Sequence, residues 1–446
     1  MAPRADHDPG SVGRARKAAR PGGRWRLLLA LLAALSLVAA ACGDDDDTAS
    51  GDATTTTAAG TATSSGGGTT GGAADESLDP LVIGFINQEG GATGVYPELS
   101  VAQEAAVEYI NTELGGLDGH PIELSKCIVD GTVPSSQKCA EEMVNEGVTF
   151  VMGGLDNNSQ AWYSILEPAG IPLIGGVPVT PGDFNSTDAH FFIAGGAAAY
   201  AGLAAYILEF MPDAKSVGII ANDSPGAAAA LPLVTKPLEA GGVEVSDVKV
   251  PTTQSDWLAP FASVRDKDAA AVLVAPPNCV SLAQARNSQQ SDLTMVSVSS
   301  CYSKTVLDGA GAGGLDGWVV NQYFDDPQGE TEDATTYREV MATYAPADAN
   351  LSGFAPVVFS DMMTVYDSVL TPLGFDGATT DAIVEKVKDP AGGKVFMGPD
   401  YKCGVAGAPF VAVCNYQLQW FKVAGGKLTE PTGFVDVTET IKIGNT

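Results

Sequence analysis

The sequence predicts an α/β protein built from two doubly wound sheets, and three observations carry that reading. Leu81–Gly116 runs from an apolar, β-prone stretch (LVIGFINQ) through a Gly-rich turn at Gly90, Gly91 and Gly94 into an amphipathic segment beginning at Pro97. Two successive series of short strands and helices then alternate, the pattern of parallel sheets with covered faces. The residues from Leu81 onward are too many for one compact core and suit two α/β lobes.

The chain begins with an address. Seven basic residues precede the apolar run Leu27–Ala41, which is short for a membrane span and ends in small residues before Cys42, so residues 1–41 read as a secretory signal. The ending Val38-Ala39-Ala40-Ala41-Cys42 resembles a bacterial lipobox, with Ala39 where Leu is commonest. That resemblance implies cleavage before Cys42 and lipidation of its thiol. Several acyl chains at roughly 0.8 kcal/mol per buried methylene would hold the protein at a membrane surface. Residues 42–79 hold Asp44–Asp47 and a Thr/Ser/Gly/Ala tract that cannot build a core, and they read as a flexible tether. The adjacent aspartates are taken as solvated spacer rather than metal ligands.

The net charge is -30, and removal of the basic leader makes the remainder more negative still. Such acidity argues against nucleic acid as a partner.

Beside Cys42 six cysteines remain, falling into the local pairs Cys127 with Cys139, Cys279 with Cys301 and Cys403 with Cys414. An even count in an exported chain suggests disulfides, here paired by proximity among many possible connectivities. Cys279 and Cys301 each follow a strand of the second series, so neighbouring strands would bring them together. No pair has C-x-x-C spacing, and His7, His120 and His190 are dispersed, so no metal or other cofactor is expected.

Within the first series, Leu99, Ala102, Ala106 and Ile110 recur at helical spacing after Pro97, with Gln103, Glu104, Glu108 and Asn111 opposite, and Gly115-Gly116 stops the helix. Strand Pro121–Lys126, helix Pro134–Asn145, strand Thr149–Met152, a helix near Ser159–Pro168 and strand Ile171–Ile174 follow. The second series is helix Ala198–Phe210, strand Ser216–Ala221, helix Gly226–Ala240, strand Val243–Val250, helix Trp257–Arg265, strand Ala270–Val274, helix Val280–Gln289 and strands Thr294–Val298 and Gly317–Gln322. Helical runs Thr335–Tyr344, Ala355–Leu373 and Thr380–Val387 lead to a loop-rich stretch and a final strand, Tyr416–Val423, ending at Gly425-Gly426.

No catalytic set assembles. Gly309, Gly311 and Gly314 match G-x-G-x-x-G, but a dinucleotide site needs a strand before the glycines and a helix after them. Ser246 and Lys249 match S-x-x-K within an alternating strand. Asn222–Gly226 imitates a nucleophile elbow without its first Gly. An enzyme is therefore not expected.

GFINQEGG near the start, GGLDNNSQAWYSILEPAGIPLIGG in the middle and the closing QLQWFKVAGGKL resemble the leucine/isoleucine/valine-binding family of extracytoplasmic solute receptors for ABC importers, in order and spacing from Leu81 to about Lys427. The resemblance implies the type I periplasmic-binding-protein fold, whose lobes are joined by three crossovers and hinge shut on ligand. It places lobe 1 at residues 80–195 and 323–413 and lobe 2 at 196–322 and 414–446. The crossovers fall near Ile193–Gly196, Val320–Tyr323 and Val413–Gln417. It further implies a monomer that hands a small molecule to a membrane permease complex; presentation of the ligand to a signalling receptor is the alternative.

Loops at the carboxyl ends of strands form the cleft in such sheets, which nominates Tyr96, Asn157, Asn158, Val177, Asp223, Asn278 and Tyr323 as ligand-binding residues. Tyr96 has packing on its own helix as a rival role, Asn157 has helix capping, and Tyr323 serves as wall or hinge. Against the family's amino-acid site, Asn157 stands for a carboxylate-holding hydroxyl residue, and Val177, Pro178 and Val179 replace small residues and a Thr, leaving the Val177 backbone as donor. Pro225 replaces a covering aromatic, and Pro277 aligns with the acid that pairs with the ammonium. A buried ammonium without its counter-charge costs several kcal/mol, so free leucine, isoleucine and valine are expected to bind poorly. The expected ligand is a small amino-acid-like, carboxylate or amide metabolite.

Overall fold

The computed structural model describes residues 72–445 apart from 92–93, 252, 266–268, 276–277, 350, 352 and 405–410. The expected signal, Cys42 and most of the expected tether lie outside the described residues, as do Pro276 and Pro277.

The first series comprises β1 (Leu81–Gln88), α1 (Pro97–Thr112), β2 (Ile122–Val129), α2 (Val133–Glu146), β3 (Val151–Gly153), α3 (Gln160–Leu166), β4 (Leu173–Ile174), α4 (Pro181–Asn185) and β5 (Ala189–His190). These strands form a parallel sheet in the order β2-β1-β3-β4-β5. The second series is α5 (Gly195–Phe210), β6 (Ser216–Asn222), α6 (Pro225–Ala240), β7 (Glu244–Val250), α7 (Leu258–Arg265), β8 (Ala270–Val274), α8 (Cys279–Ser288), β9 (Thr294–Ser297), α9 (Lys304–Ala310) and β10 (Val319–Gln322). Its strands run β7-β6-β8-β9-β10, the same winding order as the first sheet.

The rest of the chain is shared. Helices α10 (Glu332–Tyr344) and α11 (Ala355–Val365) pack on α1; α12 (Thr371–Leu373), α13 (Thr380–Val387) and the hairpin of β11 (Gly393–Lys394) and β12 (Asp400–Tyr401) follow. The chain then returns to the second sheet as β13 (Gln417–Ala424), antiparallel to β10, and closes with β14 (Lys427–Thr429), β15 (Val435–Asp436) and α14 (Thr438–Gly444).

Burial explains why these segments adopt these elements. Ile83 and Phe85 of β1 enter one core while Ile86 enters another on the opposite face, as a covered parallel strand requires. The largest core continues through Phe192, Ile193, Tyr323, Phe324, Cys414 and Tyr416, where the chain passes between the sheets. Helix starts follow their caps: Thr132, Ser224, Thr331 and Thr379 each accept a backbone N–H at the head of α2, α6, α10 and α13.

Three sequence expectations are corrected. Gln103, placed on the outer face of α1, is fully buried with its Nε2 3.2 Å from the Sδ atoms of Met152 and Met362, because α11 covers that side. The run Ala355–Leu373 is not one regular helix: it passes through a π-helical turn at Tyr366–Leu370 before Pro372, which has no N–H to continue the α ladder. Tyr416–Val423 is not the final strand. Gly425 and Gly426 both take positive φ (58° and 74°), making a tight hairpin that pairs β13 with β14. The short α4, α9 and α14 lie in stretches to which the sequence reading assigned no bounded element.

The structure contains all three local disulfides. Cys127–Cys139 ties β2 to α2, and Cys279–Cys301 joins the head of α8 to the 3-10 turn that follows β9, the neighbour of β8; each has a Cα–Cα separation of 5.5 Å. Cys403–Cys414 closes at 4.1 Å beside the last passage between sheets.

Candidate functional site

In an open parallel sheet, ligands bind beyond the carboxyl ends of the strands where the winding order reverses. Those points are β1/β3 in the first sheet and β6/β8 in the second. The loops concerned start at Gln88, Gly154, Asn222 and Ala275. A hollow of about 220 Å³ walled by Tyr206, Phe210 and Trp420 opens at the amino ends of β9 and β10, the edge away from these loops.

The first loop is shaped from within by two buried amides. Asn87 Nδ2 donates to the Tyr96 carbonyl at 2.7 Å, and Asn87 Oδ1 accepts from Leu155 N–H at 3.2 Å. Gln88 Nε2 donates to the Gly94 carbonyl at 2.8 Å, while its Oε1 accepts from the backbone and side-chain N–H groups of Asn157 at 3.1 and 3.3 Å. Glu89 follows, half-buried, accepting from Ser100 Oγ. Burial raises the Glu98 carboxyl in the first turn of α1, and the charge of Glu89 adds to the shift.

The loops after β3 and β4 are clamped by three buried acids. Asp156 accepts from Ser136 Oγ at 2.6 Å and from Asn158 N–H at 2.9 Å; burial outweighs these bonds and raises its pKa. Asp183 accepts from Tyr163 Oη at 2.7 Å, Ser159 Oγ at 2.8 Å, and Val179 and Thr180 N–H at 2.9 and 2.7 Å. Asp361, on α11, accepts from Gly176 N–H at 2.6 Å, and burial pushes its carboxyl up to about 8. Gly176 sits at φ 104°, where an added Cβ would strike Gly153, so only glycine lets the two loops touch.

On the second sheet Asp223 is exposed just past β6, its N–H bonded to the Val250 carbonyl at 2.8 Å. Ala275, just past β8, takes φ 43° without being glycine, a strained backbone of the kind found at ligand-facing loops. The Tyr200 hydroxyl on α5 meets the Ala275 backbone.

The nominated residues thus divide. Asn157, Asn158, Asp223 and Tyr96 lie on the loops at the two winding reversals, Asn157 and Asp223 exposed and the other two half-buried. Tyr96 lays its ring over Gly94. Asn278 is exposed, but its side chain caps α8 by accepting from Ser281 N–H at 2.9 Å. Val177 corrects the expectation: it is buried, and its N–H donates to the Gly154 carbonyl at 3.0 Å, so it is not a free donor. Tyr323 is buried and donates to the Gly195 carbonyl at 2.7 Å, joining one passage between sheets to another. His190 lies beside Cys403 and Cys414, whose sulfurs are already joined to each other. Sequence reasoning missed Asp183, Asp361, Tyr200 and Ala275. A Pro-Gly-Asp after Thr180 was a legible capping signal for Asp183; the others depend on distant partners.

The fold and its paired loops define a class: a two-lobed, type I receptor for small solutes. Residues 80–402 match the periplasmic binding protein family, and the chain belongs to that family. Its members bind solutes outside the cytoplasm rather than transform them. Similar structures include the branched-chain amino acid transporter substrate-binding protein LivJ of Streptococcus pneumoniae in complex with isoleucine (17% identity, 79% of this chain and 99% of that one, TM-score 0.61). A solute-binding protein of R. palustris in complex with 4-hydroxybenzoate (15%, 81% and 98%, 0.63) is similar too. So is a fatty acid transporter substrate-binding protein of Thermomonospora curvata (15%, 85% and 97%, 0.63). No curated protein matches the sequence. Among the described residues no helix is long and apolar enough to cross a membrane.

Proposed function

We propose that this chain is the capturing receptor of an ABC importer, a monomer lipidated at Cys42 and tethered by residues 42–79 to the extracytoplasmic face of a bacterial membrane. Its lobes, residues 80–195 with 323–413 and 196–322 with 414–446, close on one small amino-acid-like, carboxylate or amide metabolite. Asn157, Asn158 and Tyr96 form one wall and Asp223 with the Asn278 loop the other, while Tyr323 serves the hinge. The observation that carries this reading is the matched winding of the two sheets, β2-β1-β3-β4-β5 and β7-β6-β8-β9-β10, which gives each a crevice of the same construction.

Small-angle scattering tests it, using whichever compound from a panel of amino acids, carboxylates, amides and amines raises the melting temperature. Ligand at about 100 times its dissociation constant stabilises by about 2.7 kcal/mol, a readable shift. The particle should become more compact; an unchanged profile at saturation counts against a closing receptor. Uptake of that compound by cells lacking the protein separates import from signalling, and Cys42→Ser should shed the protein from membranes.

A further inference from the structure

Resting on the receptor reading but departing from the carboxylate and amide ligands named with it, we infer that the cleft is built for a hydrogen-bond-donating organic cation rather than a carboxylate. A carboxylate needs free donors, and six backbone amides of the first wall are spent. The amides of Asn157, Asn158, Gly176, Val177, Val179 and Thr180 already serve acceptors within the protein. The hydroxyls of Ser159 and Thr180 lie 2.9 Å apart, and Ser159 Oγ also meets Asp183. A carboxylate entering this wall would lose its hydration without replacement bonds.

The acceptors tell the complementary story. The first strand of each sheet ends in an amide followed by an acid: Gln88-Glu89 after β1 and Asn222-Asp223 after β6. The two pairs occupy equivalent places, since Glu89 N–H bonds to the Val129 carbonyl ending β2 at 3.1 Å and Asp223 N–H to the Val250 carbonyl ending β7 at 2.8 Å. Asn222 Oδ1 is buried and meets no donor among the described residues. The segments 87–96, 154–160, 175–180, 222–226, 275–279 and 323–326 contain no Lys, Arg or His to neutralise these acids. An ammonium between Glu89 and Asp223 would satisfy both walls, and a diamine would give each wall its own charge.

The test is calorimetry and thermal shift on the mature chain with putrescine and agmatine, against leucine and 4-hydroxybenzoate, and against acetamide as the uncharged arm. The cations should raise the melting temperature and the carboxylates should not. Glu89→Gln and the exposed Asp223→Asn should each weaken cation binding about tenfold or more, the loss expected of one charge-assisted bond. Micromolar binding of a carboxylate, binding confined to acetamide, or no shift with either cation overturns the inference. The first two of those results leave the receptor reading standing. That reading fails separately if no class of compound shifts the melting temperature or compacts the particle.

Discussion

The hydroxyl of Tyr323 donates to the carbonyl of Gly195 at 2.7 Å inside the protein, where Tyr323 is 5% exposed. Tyr323 begins the passage that leaves β10 and Gly195 begins α5, so one bond links two of the three stretches that join the sheets. Tyr323→Phe keeps the packing and removes one buried hydrogen bond to a carbonyl in the first turn of α5. Its cost should be about 1–2 kcal/mol in urea unfolding. An unchanged midpoint would mean that water or a neighbour takes over the acceptor.

Asp183 gathers donors from Ser159, Tyr163, Val179 and Thr180 behind the loop after β4. Asp183→Ala leaves the buried Tyr163 hydroxyl and Thr180 N–H without an acceptor, and at about 1–3 kcal/mol for each stranded group the expected destabilisation is about 2–5 kcal/mol. Hydrogen exchange should localise the loosening to residues 175–186. Uniform loss of protection over both sheets would refute a local clamp.

Asp361 makes stability depend on pH with a definite sign. Its folded carboxyl is raised from an ordinary 3.8 to about 8 by burial. As pH rises through that window the unfolded chain releases the proton and the folded chain retains it, so stability is fullest at the acid end and falls toward pH 8. Asp361→Asn removes the dependence, and its advantage over wild type should widen by up to about 1.4 kcal/mol per pH unit through the window. Buried His190, lowered from 6.5 to about 3, acts oppositely and loses its contribution as pH falls below 6.5, but it is common to both proteins and cancels in the difference. Parallel stability profiles would show that Asp361 does not titrate there.

Peptide mapping without reduction should recover Cys127 with Cys139, Cys279 with Cys301 and Cys403 with Cys414. Replacing both Cys279 and Cys301 by Ser should cost about 3 kcal/mol, the loop-closure contribution of a bridge spanning 22 residues. Recovery of any other pairing rejects the arrangement.

The parallel frame was legible because Ile83, Phe85 and Ile86, or Ala271, Val272 and Leu273, bury both faces of their strands and leave a continuous apolar run in the sequence. Proximity likewise sufficed for the cysteines. What stayed hidden depends on partners far away in the chain. Gln103 looked solvated until α11 arrived over it, and Val177 looked like a donor until Gly154 claimed its N–H. The grip of Asp361 on Gly176 spans 185 residues, beyond any local pattern.

The bridge between Cys403 and Cys414 has a mechanical consequence. Just before it, Phe191 N–H donates to the Ala412 carbonyl and Cys414 N–H to the Phe191 carbonyl, at 2.9 and 2.8 Å, so the returning chain is pinned to the first sheet up to Cys414. Strand β13 begins at Gln417 in the second sheet. Only Asn415 and Tyr416 lie between, a pivot too short to stretch, so the halves can turn about this point but cannot slide apart along it.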